Sequence, residues 1–99
     1  HYTEALDNIN ILVSQYPDSA VAYAARAGIE VEQGMLELGE YDYSEAIKRD
    51  QNNTDYLLNR AELRIQLGKT EKAREDLDHL VSLGVPRPAL KNWYRRLKQ

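Results

Sequence analysis

The chain has 99 residues, 42% of them apolar and 29% charged, with no Cys, no Phe and a net charge of −3. That is the make-up of one ordinary water-soluble folded domain, and it excludes a disordered chain, a disulfide framework and thiolate metal sites. No run of apolar residues is long enough to cross a membrane as a helix, and no signal-peptide pattern opens the chain, so a soluble protein is expected.

Taken in chain order, apolar spacing and turn chemistry predict six helices, near residues 2–15, 20–33, 36–49, 54–67, 70–83 and 88–98. "YPDS" at 16–19, "DQNNTD" at 50–55 and "GVPRP" at 84–88 are turn segments between them. Asp18 or Ser19 can cap the second helix, and Asn53 or Thr54 the fourth. Gly34 and Gly68 stand where one helix must stop and the next begin, since glycine accepts the left-handed cap conformation. Pro88 suits the first turn of the last helix.

A 34-residue step relates these elements. Arg26, Ala27, Gly34 and Asp42 map onto Arg60, Ala61, Gly68 and Asp76. The step reaches backwards through a small series (Ala5, Gly39, Ala73), a bulky one (Ile9, Tyr43, Leu77) and an apolar one (Leu12, Ala46, Leu80). One period that fits three successive segments indicates a repeat architecture. Arg26–Asp42 and Arg60–Asp76 share a 16-residue separation that can bring them together across a helix hairpin, as structural ion pairs setting helix register. In the last helix Leu90, Trp93, Tyr94 and Leu97 fall on one face, the pattern of a capping helix with Trp93 in its core.

With these residues the chain resembles the tetratricopeptide-repeat (TPR) family, whose unit is a 34-residue helix–turn–helix. Ala5, Ile9 and Pro17 are similar to the family's second helix and closing proline; Tyr23, Ala27, Gly34 and Tyr43 to a whole unit; Leu57, Ala61, Gly68, Ala73 and Leu77 to another. The pattern departs at Gln51, where the closing proline is missing, and at Gly39, where alanine is usual. The resemblance implies an all-α, TPR-type α-solenoid of antiparallel helix hairpins with about six helices. Its parts would be the second helix of a partial repeat (1–19), full repeats at 20–53 and 54–87, and a capping helix at 88–99, together a fragment of a longer protein.

The resemblance further implies a protein–protein interaction module that holds a peptide or a partner's helix on an inner wall made by first helices. That wall would comprise Val21, Ala24, Ala25 and Gly28, then Asp55, Leu58, Asn59 and Glu62, extended by Asn92 and Arg96. Small residues leave room there, and Asn59 and Glu62 can hydrogen-bond a peptide backbone. A subgroup of the family clamps the terminal carboxylate of chaperone tails with Lys, Arg and Asn. Asn59 occupies one such place, but Ala24, Gly28, Ala89 and Trp93 hold the others, so binding of chaperone C-terminal tails is not expected. Weak self-association, or recruitment of substrate to a larger enzyme, are the alternatives.

No catalytic or cofactor constellation stands out, and no enzyme activity is expected. His1 and His79 are far apart in sequence, no phosphate-binding glycine loop is present, and Ser14, Ser19, Ser44 and Ser82 have no activating partners in the sequence. "DQNNTD" lacks the glycine and the closing glutamate of a calcium loop. Nucleic acid is not an expected partner, because residues 1–86 carry a net −8. Residues 87–99 hold five cations and no acid, which suits either a helix C-terminus or contact with an acidic neighbour.

Overall fold

The computed structural model describes residues 2–98, all helix and turn, in two compact units, His1–Gln51 and Asn52–Gln99. The expected positions of His1 and Gln99 lie outside the described residues.

In the first unit α1 (Tyr2–Gln15) packs on α2 (Ala20–Glu32), and α2 packs along α3 (Leu36–Arg49). Ser19 starts α2 by accepting the Ala22 amide on its hydroxyl at 3.1 Å. Buried side chains come from all three helices: Ile9 and Val13, Ala22 and Ala27, then Tyr43, Ala46 and Ile47. Leu12 departs from its series. Ala46 and Leu80 are buried, but Leu12 is exposed, because α1 has α2 as its chief neighbour. Arg49 ties the end of α3 to the α1–α2 turn, its Nε donating to the Pro17 carbonyl at 2.7 Å while its guanidinium lies 4.2 Å from the centre of the Tyr23 ring.

The second unit repeats the hairpin with α4 (Thr54–Gln66) against α5 (Thr70–Ser82). Asn53 is the α4 cap, accepting the Tyr56 amide at 3.1 Å. Leu57, Ala61, Ala73 and Leu77 are fully buried. Small residues at Ala27, Ala61 and Ala73 have no exposed surface at all, which is the signature of backbones in close approach.

Both α2 and α4 stop in the same way. Gly34 and Gly68 take φ of +81° and +77°, where a side chain would be strained. The residue after each glycine bonds back five positions, Met35 N to the Glu30 carbonyl at 2.8 Å and Lys69 N to the Arg64 carbonyl at 2.7 Å. That reversal turns the chain straight into the next helix.

The last element is shorter than expected. A continuous helix over 88–98 is replaced by a 3₁₀ turn, Arg87–Leu90, and a short α6, Lys91–Arg96. Pro88 has no amide to donate, so the first turn closes through Ala89 N to the Pro86 carbonyl at 2.9 Å. Leu90 and Leu97 are buried as a cap requires, whereas Trp93 is only half-buried and is not a core residue.

Candidate functional site

The two predicted ion pairs form. Arg26 donates from Nε and Nη2 to both oxygens of Asp42, at 2.8 and 2.9 Å, and from Nη1 to Asn10 at 3.1 Å, so one side chain joins α1, α2 and α3. Arg60 grips Asp76 in the same fork, at 3.0 and 2.6 Å. The forked geometry fixes the relative rotation of the two helices in each hairpin.

The surroundings of the two aspartates differ. In the second unit Arg64 adds a third bond to Asp76, at 3.0 Å. One period earlier that position is Glu30, which is 6% exposed and leaves Oε1 with no hydrogen-bond partner. Burial first, then its hydrogen-bonded approach to Asp42, pushes the Glu30 carboxyl up to about 8. At neutral pH Glu30 is therefore mostly a neutral acid beside the Asp42–Arg26 pair. Sequence reasoning passed over Glu30; the signal that could have found it is the Glu30-to-Arg64 charge reversal at one step of the period.

The expected inner-wall residues lie on α2 and α4 in matching register. Val21 and Ala25 on α2 are exposed, as are Asp55 and Asn59, their counterparts on α4; Ala24 and Leu58 are partly covered. A Cβ built on Gly28 would meet nothing within 4 Å, so open space lies over α2 at that point. Asn92 is exposed at the end of the second unit.

Glu62 and Arg96 must be corrected. They were expected to face a peptide, but they bind each other. Arg96 donates from Nη1 and Nη2 to the two Glu62 oxygens at 2.6 and 2.9 Å. The same carboxylate accepts from Trp93 Nε1 at 3.2 Å and from Gln66 at 2.7 Å. Led by the Arg96 hydrogen bond, these donors hold Glu62 below the usual carboxylate range. Its lone pairs are taken, so it anchors the final helix. Tyr94 makes a second anchor, donating its hydroxyl to Asp78 at 2.6 Å.

Among the described residues no three His, Asp or Glu side chains come together as a metal site, and no helix is long and apolar enough to cross a membrane.

Repeated antiparallel hairpins, a forked Arg–Asp pair inside each and a short terminal helix define the class: a helical-repeat domain of TPR type. A family profile described as tetratricopeptide repeat matches residues 42–75 of the chain. No curated protein sequence matches it. Among solved structures it is similar to the first TPR of Spaghetti (RPAP3) bound to the HSP90 peptide SRMEEVD, at 23% identity and a TM-score of 0.86 over 99% of this chain and 78% of that one. It is also similar to the TPR2B domain of yeast Sti1 in its pHsp70 complex, at 20% identity and a TM-score of 0.82 over 99% of this chain and 83% of that one. A third is Yersinia enterocolitica SycD with a peptide of the translocator YopD, at 18% identity and a TM-score of 0.78 over 98% and 74%. At such identities the likeness is one of fold. Two of these relatives are complexes with chaperone sequences, and the comparisons give no support to the expectation that chaperone tails are excluded.

Proposed function

We propose that this chain is a protein–protein interaction module that acts by binding and not by catalysis. Its ligand is a short peptide or helix of a partner, held on the exposed first-helix face of a unit, α2 in the first or α4 in the second. The repeat frame proposed with it places whole units at 20–53 and 54–87, after a lone second helix at 1–19 and before the cap at 88–99.

The observation that carries this reading is the matched exposure of Val21 with Asp55 and of Ala25 with Asn59. Both units leave the same register positions open. Val21 is 69% exposed, a large apolar side chain given to solvent beside small ones. A face of that kind offers apolar area and little steric bar to a ligand backbone. Three similar structures carrying bound peptides or chaperone sequences support the same reading. Ala24, Gly28, Leu58 and Asn92 belong to the proposed face; Glu62 and Arg96 serve it as a fixed strut.

The test is display selection of random-sequence peptides on the whole chain, with the acidic tail SRMEEVD as a defined ligand beside them. Ala25→Arg and Leu58→Arg should each weaken the selected peptides about tenfold or more, the loss of about 1.4 kcal/mol. Unchanged affinity in both variants, with unchanged helix content, would place the ligand elsewhere.

A further inference from the structure

A second surface lies in the second unit. Between α5 and the terminal turn and helix is an open groove of about 670 Å³. Arg74, Arg87, Lys91, Arg95 and Lys98 line it together with Tyr94, and no carboxylate does. The Arg87 guanidinium lies 4.2 Å from the centre of the Tyr94 ring, and the Tyr94 hydroxyl occupies Asp78, the acid at hand.

The 34-residue period shows what is unusual about this face. Lys91 stands at the register position of Tyr23 and Leu57, and Arg95 at that of Ala27 and Ala61. Leu57, Ala27 and Ala61 have no exposed surface. On α6 the same positions are cationic and exposed. A terminal helix needs a polar outer face, and mixed charges would supply it. Here five like charges share one groove, with a repulsive cost that an anionic partner would remove.

We infer that the groove between α5 and α6 is a binding site for an acidic peptide segment, independent of the α2 and α4 faces. Guanidinium forks and lysines match side-chain carboxylates, and Tyr94 with Pro88 gives an apolar floor for a residue between them. Volume of this order admits a few residues of extended chain. Nucleic acid fits less well. Tyr94 is the one aromatic among the lining residues, whereas single-stranded nucleic acid is held by stacking successive bases on several rings.

The experiment is fluorescence anisotropy on the whole chain in low salt, using a labelled peptide of glutamates around one central leucine. Saturable binding below about 1 mM is expected. The double variant Lys91→Glu, Arg95→Glu should weaken it about tenfold or more, and added salt should do likewise. Lys48→Glu with Lys72→Glu makes the same change of net charge on exposed side chains outside the groove, and should leave affinity within about twofold. Circular dichroism of each variant controls for folding. The inference fails if wild-type binding does not saturate, or if the control pair weakens it equally. It also fails if an oligothymidylate of equal charge binds more tightly. A groove-dependent rise to dimer mass in light scattering would reassign the site to a second copy of the chain.

Discussion

Glu30 and Arg64 occupy the same step of the repeat and meet equivalent buried aspartates with opposite charges. Arg64 neutralises Asp76, whereas Glu30 can accommodate Asp42 only by keeping its proton. A carboxyl with one buried, unpartnered oxygen costs about 1–3 kcal/mol once it must ionise. Glu30→Gln keeps the shape and removes the titration, so it should raise stability at pH 8 by about that amount and change little at pH 5. Urea denaturation of both proteins at the two pH values checks this. Neither the burial nor the open oxygen was legible in the sequence, because a glutamate at that step of α2 reads as solvated until Asp42 is brought against it. The fate of Glu62 was hidden for the same reason. Its partners Trp93 and Arg96 lie 31 and 34 residues away, beyond any local pattern.

The hairpin is the element that the paired helices build, and its Arg–Asp fork is where the two units diverge in strength. Removing Arg26 leaves Asp42, 1% exposed, with Glu30 as its neighbour and without its forked cation. Removing Arg60 leaves Asp76 still bonded to Arg64. Arg26→Leu should therefore cost about 3 kcal/mol, the order expected when one partner of a buried pair is lost, and Arg60→Leu about 1–2 kcal/mol. Guanidinium-chloride midpoints of the two variants decide it; equal losses would mean that Arg64 does not compensate. At this scale the sequence was most readable. The 16-residue spacing, the Ser19 and Asn53 caps and the glycine stops all appear where local chemistry places them. The last helix was over-extended because helical periodicity continues through Pro88 although its amide does not.

Across the whole molecule two of the perturbed glutamates, Glu30 and Glu62, act at opposite ends of the pH scale. Glu62 is held below its ordinary value of 4.5, so its contribution is present above that pH and is lost as pH falls through its folded value. Glu30 is raised from 4.5 to about 8, so its contribution is full below 4.5 and is lost as pH rises towards 8. Stability should therefore peak on the mildly acid side of neutrality. A denaturation series from pH 4 to 9 tests this: a maximum at pH 8 or above would contradict the Glu30 assignment, and no loss of stability towards pH 4 would contradict that of Glu62. Charge is uneven at this scale too, with a cationic end on an acidic chain, and the groove at α5 and α6 turns that asymmetry into a surface with a definite shape.

By itself the sequence determined the helices, their stops, the 34-residue period and the repeat fold, because each follows from contacts between near neighbours or from a pattern repeated along the chain. Tertiary structure alone decided which polar groups are consumed internally. Glu62 and Arg96 looked free and are locked together, Glu30 looked solvated and is buried, and Lys91 and Arg95 open a groove at positions that the earlier helices bury. The physical reason is that a side chain's partners and solvent exposure depend on residues brought close by folding, which no local spacing encodes.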